Sequence, residues 1–191
     1  MSHYNISPSL IVLSRNQKTL NRGIINLWSS DYHLKGEHMK TGLIIYSYTG
    51  ITLKIATEIQ TKLIKAGQEV VLISLKAKNE NPNSTVIELL DQPDLSSFDQ
   101  IILGSPVRGF QVSPIMKAFL EKTPSLNNKK VACFVTHAFP YAWMGGNTAI
   151  KMMKDLVSKK DGIVVSTGII DHSKKPSEAQ VTDLCERFSK L

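Results

Sequence analysis

The sequence predicts an α/β protein built on a doubly wound parallel sheet, with helices on both faces. From Thr41 onwards, short apolar runs alternate with segments of helical period. The runs are continuously apolar, which is typical of parallel strands buried on both faces. Parallel strands need long connections, and a helix in each connection supplies right-handed crossovers.

The apolar runs that predict strands are short and rich in β-branched residues. They lie at residues 42–46, 69–75, 100–103, 130–136 and 162–170. Each has the length of one strand in a globular domain. The third strand is expected to end at Gly104-Ser105-Pro106, because Gly and Pro interrupt regular structure.

Helices are predicted where apolar residues recur at helical spacing. The first helix is predicted over residues 53–66, and Gly67 suits its C-terminal end. Pro114 suits the first position of the helix at residues 115–122. Similar patterns predict helices at residues 148–158 and 177–191, and a weaker one near residues 85–90.

The length suits one ordinary domain that follows an N-terminal extension. The chain has 191 residues, and one buried core is expected at this size. Residues 1–38 are rich in Asn, Ser and His and sustain no long apolar period. Since Met39 directly precedes the regular pattern, we expect residues 39–191 to form the domain. Residues 1–38 are expected to be disordered or not natively translated; the alternative is an amphipathic arm that docks on the domain through Ile24, Ile25 and Trp28.

Charge and cysteine usage narrow the function classes. The formal net charge of +7 permits an anionic cofactor or an acidic partner. No aromatic platform accompanies the lysines, and no apolar run approaches the roughly 18 residues that span a bilayer, so neither a nucleic acid nor a membrane is an expected partner. Cys133 and Cys185 have no metal-ligand spacing, so we expect no metal and a reducing, cytoplasmic location.

A hydroxyl-rich turn, Ser47-Tyr48-Thr49-Gly50-Ile51-Thr52, joins the first strand to the first helix. A helix N-terminus presents unpaired N–H groups and the positive end of its dipole, so this turn suits a phosphate. Because the turn has no Lys, it would bind by neutral donors. The alternative is a turn whose Ser and Thr only cap the helix. The chain has neither G-x-x-x-x-G-K-[ST] nor G-x-G-x-x-G.

This turn resembles the [ST]-x-T-G-x-T loop of the flavodoxin family, whose members hold the phosphate of flavin mononucleotide (FMN) there. Together with the succession of strands, the resemblance covers residues 39–191. It implies a flavodoxin-like five-stranded parallel sheet of order 2-1-3-4-5. It also implies FMN at the carboxyl ends of the strands, beside the switch between strands one and three.

The resemblance also implies which loops flank the flavin ring. These are Ser105-Pro106-Val107-Arg108-Gly109-Phe110 and Thr136-His137-Ala138-Phe139-Pro140-Tyr141-Ala142-Trp143-Met144-Gly145-Gly146. Phe110, Tyr141 and Trp143 are candidates to stack on the ring, and the sequence does not choose among them. The candidate cofactor-binding residues are Ser47, Tyr48, Thr49, Gly50, Ile51, Thr52, Pro106, Val107, Arg108, Gly109, Phe110, Thr136, His137, Tyr141, Trp143 and Gly145.

Two of these candidates carry a charge or a titratable group. Arg108 is expected either near the N1/O2 edge of the ring, where a cation favours reduced anionic flavin, or in solvent as a loop charge. His137 either hydrogen-bonds the flavin or is a strand-end histidine satisfied by backbone. No catalytic side chain is implied, because the flavin itself would carry the electrons.

The chain departs from the family in two respects. Ile51 stands where many relatives carry Asn, and the chain is basic where electron-shuttling flavodoxins are strongly acidic. The favoured function is an FMN-binding redox protein that passes electrons to a redox partner protein or reduces a small-molecule acceptor such as a quinone. The alternative is a binding or scaffold module of the same fold that has lost flavin.

Overall fold

A computed structural model of the chain describes residues 39–79, 86–139, 141, 143–173 and 178–191. These residues fall within one compact unit, His38–Leu191. The expectation for residues 1–38 lies outside the described residues, as do Pro140 and Ala142 of the predicted ring loop and Ser177 of the last predicted helix.

Strands and helices lie close to the predicted positions along the described chain, with no described helix between the second and third strands. The strands are β1 (Lys40–Ile45), β2 (Glu69–Ser74), β3 (Gln100–Arg108), β4 (Gln111–Val112), β5 (Lys130–His137) and β6 (Ile163–Asp171). The helices are α1 (Ile51–Lys65), α2 (Pro114–Lys122), α3 (Gly146–Ser158) and α4 (Glu178–Phe188). Pro114 opens α2, and the Ser113 side chain caps it by accepting from the Met116 N–H.

Five strands pair in parallel in the order β2-β1-β3-β5-β6. Numbered along the chain, these are the predicted order 2-1-3-4-5, and the doubly wound fold is confirmed. The sixth strand, β4, is a short addition that pairs antiparallel with the end of β3. The order reverses between β1 and β3, so the loops after these two strands leave a crevice at the carboxyl edge of the sheet.

Each face of the sheet is covered by a pair of helices. Ile101 joins the cluster that contains Phe119 of α2 and Met153 of α3. Its neighbour Ile102 joins the cluster with α1 and α4, which contains Phe188. Successive residues of a strand point to opposite faces, so the continuous apolar runs supply both cores.

Two predictions of local structure are wrong. The third strand does not end at Gly104, because residues 104–106 keep their parallel register with β5 and the last two residues of β3 pair with β4. The helix near residues 85–90 is also wrong for residues 86–90. There Ile87 and Leu89 pack on the core while their neighbours are exposed, which is the two-residue period of an extended chain. The Leu90 N–H donates to the Lys76 carbonyl over 2.9 Å, which holds this segment against the chain after β2.

We expect Gly104→Ala to destabilise the fold. A Cβ at Gly104 would overlap the Phe134 ring and come within 2.8 Å of Ile45 Cγ2. Overpacking of a filled core costs about 1–3 kcal/mol. Urea unfolding should show this loss with an unchanged dependence on denaturant concentration.

A second substitution tests the cause. Phe134→Leu removes ring atoms that the new methyl group would meet, so Gly104→Ala should cost less in the Phe134→Leu background than in the natural chain. An equal cost in both backgrounds would mean that Phe134 is not the obstacle.

Candidate functional site

Three loops meet at the carboxyl edge of the sheet. They follow β1, β3 and β5, which are neighbours in the sheet. Because all three strands are parallel, their loops leave from the same edge. The topology therefore brings together the turn and the two loops that hold the sequence-predicted residues.

The turn after β1 leads into α1 through an open cradle. Gly50 precedes α1 with φ +85°. Because glycine has no side chain, this residue provides no side-chain cap for the helix. No atom lies within 4 Å of the position that a Cβ would take at Gly50. The first turn of α1 holds no acidic residue. The positive end of a helix of 15 residues thus faces open space at this turn.

The hydroxyls of the turn differ in what they contact. Ser47 Oγ accepts a hydrogen bond from the Leu53 N–H over 3.1 Å, which leaves its own O–H able to donate. Thr52 is buried, and its Oγ1 lies 2.8 Å from Thr136 Oγ1. Thr49 is exposed. Thr136, expected in the ring loop, therefore places its side chain at the buried base of the turn.

The end of β3 and β4 form a hairpin that the sequence did not predict. Gly109 (φ +53°) and Phe110 (φ +63°) are the two central residues of its turn. Two successive positive φ values are typical of a type I′ hairpin turn, which favours Asn-Gly. Gly-Phe is not such a signal, because a left-handed conformation costs an ordinary L-residue about 1–2 kcal/mol.

Exposed aromatic rings stack in two pairs beside the hairpin. Phe110 stacks on Phe139 with ring centroids 5.7 Å apart, and Tyr141 stacks on Trp143 with centroids 6.0 Å apart. All four residues are exposed, Trp143 by 70%. Phe139 lay in the predicted ring loop but was not among the stacking candidates. Exposed aromatic surface of this extent is typical of a binding site.

Gly145 lets the hairpin pack against the start of α3. It precedes α3 with φ +99°, and a Cβ there would lie 2.9 Å from Phe110 Cα and 3.0 Å from a Val107 methyl carbon. A larger residue would push the hairpin away. Pro106 lies in register with Thr136, so this part of β3 is also held to β5.

Arg108, the last residue of β3, contacts the turn after β1. Its guanidinium carbon is 4.6 Å from the centroid of the Tyr48 ring, within the range of a cation–π contact. Tyr48 belongs to the turn after β1 and is 51% exposed. Ile51, the next large residue of that turn, instead packs against the core between α1 and α4.

His137 is buried at the end of β5. Its side chain is 3% exposed, and Nδ1 has no hydrogen-bond partner among the described residues. Burial lowers the pKa of His137, and the Asp171 carboxylate on the neighbouring strand opposes this effect. The imidazole is therefore predominantly neutral at neutral pH.

The fold and the turn define a doubly wound α/β protein with a candidate phosphate turn at its topological switch point. The flavodoxin domain model matches residues 43–174, more than half of the chain. The chain therefore belongs to the flavodoxin domain family.

Several solved structures are similar to this chain. The two-electron reduced flavodoxin of Megasphaera elsdenii has a TM-score of 0.59 and 21% identity, over 79% of this chain and 99% of its own. The flavodoxin of Fusobacterium nucleatum, bound to FMN, has a TM-score of 0.57 and 19% identity, over 79% and 97%. A flavoprotein of Lactobacillus acidophilus in complex with FMN has a TM-score of 0.54 and 21% identity, over 71% and 95%.

At these identities the likeness establishes the fold. A comparison with curated proteins gives no match. Within the described ranges, no helix is long and apolar enough to cross a membrane. The same part of the chain contains no group of three or more His, Cys, Asp or Glu residues suited to a metal ion.

We expect His137 to make stability depend on pH. Because its pKa is lowered in the folded protein, the unfolded chain binds more protons once the pH falls to about 6.5, the ordinary pKa of histidine. The free energy of unfolding should therefore decrease as the pH falls through 6.5 towards the folded pKa. His137→Asn removes this titration, so its melting temperature should fall less between about pH 7.5 and 5. If the melting temperatures of both proteins fell equally across this pH range, the pH dependence could not be assigned to His137.

Proposed function

We propose that the chain is an FMN-binding redox protein that passes electrons to a redox partner protein or reduces a small-molecule acceptor such as a quinone. The observation that carries the proposal is the open N-terminus of α1, which lies at the same sheet edge as the exposed aromatic loops. Membership of the flavodoxin family and the FMN complexes of similar structures support it.

The described residues fit the phosphate of FMN. Gly50 leaves the cradle open, and a Cβ would occupy space that a phosphate needs. The first N–H groups of α1 have no partner inside the helix. The Leu53 N–H donates to Ser47 Oγ, and the N–H groups of Ile51 and Thr52 can donate to an anion. Ser47 Oγ accepts a hydrogen bond from the Leu53 N–H and keeps its own hydrogen to donate. Thr49 is exposed, so its hydroxyl can reach a ligand.

The neighbouring loops fit a flat heterocycle. Phe110, Tyr141 and Trp143 offer exposed aromatic faces of the kind that stack on such a ring. Gly145 lets the start of α3 lie close against the hairpin, and Gly109 leaves open space at the hairpin turn. The paired rings would have to move apart or present their outer faces, and their exposure permits either.

The chain's own residues would bind and orient the cofactor. Bound flavin supplies the reversible uptake and release of electrons. Aromatic side chains would shield the ring from water, and the turn would fix its phosphate end. The proposal assigns no side chain as acid, base or nucleophile.

The net charge and the buried cysteines suggest the charge of the partner and the cellular location. Residues 1–38 contain four Lys and Arg and two Asp and Glu, so +5 of the net charge of +7 belongs to residues 39–191. This favours an acidic partner or substrate over a basic one. Cys133 and Cys185 are free and buried, and burial raises the pKa of the Cys133 thiol to about 12. Inert thiols of this kind suit a reducing, cytoplasmic location.

We expect Gly50→Ala to weaken FMN binding by about tenfold or more, since a methyl group would enter the phosphate cradle; tenfold corresponds to about 1.4 kcal/mol. Flavin absorbance retained through gel filtration, together with a titration of flavin fluorescence, would measure this change.

Gly67→Ala is the matched control. Gly67 also has a left-handed backbone (φ +88°) and no atom within 4 Å of a Cβ position, but it lies at the far end of α1. Both substitutions introduce the same backbone strain, and only Gly50→Ala should reduce affinity. A natural chain that neither retains FMN nor gains thermal stability from it would favour a module that has lost flavin.

A further inference from the structure

We propose that Arg108 selects flavins that carry a 5′-phosphate, and that Tyr48 is the positioning residue that holds its guanidinium beside the phosphate turn. This inference rests on the proposed function and adds a specificity determinant to it. It also departs from both alternatives that the sequence left open for Arg108, a position at the N1/O2 edge of the ring and a solvated loop charge.

The register of the sheet places Arg108 beside the turn. Ile45, the last residue of β1, pairs with Gly104, and β3 continues for four more residues. At about 3.3 Å per residue, this overhang carries β3 roughly 13 Å past the end of β1. Arg108 is the last residue of the overhang, and its side chain meets the turn through Tyr48.

The hairpin holds the backbone of Arg108 in place. Arg108 pairs with Gln111 across the turn, and the neighbouring Phe110 is stacked on Phe139. The Phe110 backbone also lies directly against Gly145. The direction of the Arg108 side chain is then set by the Tyr48 ring, 4.6 Å away.

The guanidinium is available for an anion. Among the described residues, the ion pairs are Lys40–Glu69, Lys78–Glu88, Lys117–Glu121 and Arg187–Asp183, and none involves Arg108. No hydrogen bond within the same part of the chain uses its side chain. An arginine offers five N–H donors in a planar fork that matches phosphate oxygens, and an aromatic face leaves the edge of that fork free.

A phosphate is the ligand that this position favours. The turn itself contains no cation and would hold a dianion by neutral donors alone. Tyr48 stands between Ser47 and Thr49 in the turn, so a guanidinium held over the Tyr48 ring would bring the missing positive charge to the turn.

The test compares the binding of FMN and of riboflavin, which lacks the phosphate. Fluorescence titration would give Kd for the natural chain, Arg108→Gln, Arg108→Lys and Tyr48→Leu. Arg108→Gln should raise the Kd for FMN about tenfold, the effect of one lost charge-assisted contact, and change the Kd for riboflavin less than about twofold. Tyr48→Leu should weaken FMN about two- to fivefold, while Tyr48→Phe and Arg108→Lys should retain much of the preference.

Salt dependence gives a second readout. The Kd of the natural chain for FMN should rise more steeply with salt than that of Arg108→Gln, because only the natural chain loses this charge contact to screening. The salt comparison decides the matter if riboflavin binds too weakly to titrate. Melting temperatures without flavin would identify a variant that is merely unfolded; if Tyr48→Leu is unfolded, the two Arg108 variants carry the comparison.

The outcomes separate this inference from the proposed function. Equal weakening of FMN and riboflavin by Arg108→Gln would place Arg108 at the ring and overturn the inference, as would an unchanged Kd and salt slope for FMN. In both cases FMN binding by the natural chain would leave the proposed function standing. A natural chain that binds neither flavin would overturn both.

Discussion

Ile45 ends β1 opposite Gly104, while β3 continues to Arg108, and this unequal pairing decides where every part of the candidate site lies. Because β1 stops first, its turn opens beside the overhang of β3. Because β5 pairs with the same overhang through Thr136, the second loop begins on its other side. A single offset between parallel strands thus brings three loops together at one edge of the sheet.

Residues with positive φ recur in these loops. Four of the eight described residues with positive φ are Gly50, Gly109, Phe110 and Gly145, and all four belong to the turn, the hairpin or the start of α3. Phe110 is the costly member, because its side chain disfavours this conformation. Its ring is held by Phe139, and its backbone packs on Gly145, which accounts for the tolerated strain. The hairpin is therefore a specified feature and depends on contacts with two other segments.

Such contacts between distant segments explain which features of the fold and of the site could be predicted from the sequence. The apolar runs determine the strands and their order, since buried parallel strands follow from local composition. The hairpin was missed because Gly104-Ser105-Pro106 gives a local stop signal, which pairing with β5 overrides. Residues 86–90 were assigned the wrong period because five residues are too few to separate the two patterns. The contact of Arg108 with Tyr48 joins residues 60 positions apart in the chain, and no local pattern encodes it.

The exposure of the site bears on the kind of electron transfer it would suit. Trp143 is 70% exposed and Tyr141 58%, so a ring held against them would keep an edge near the surface. An acceptor could then approach without entering a closed cavity, which favours transfer to a protein or to a large planar molecule. On the proposed assignment, the turn and Arg108 fix the phosphate end of the cofactor. The orientation of the cofactor would then not depend on contacts with these exposed aromatic side chains. Because the phosphate end of the cofactor would be held tightly, its ring end could remain accessible.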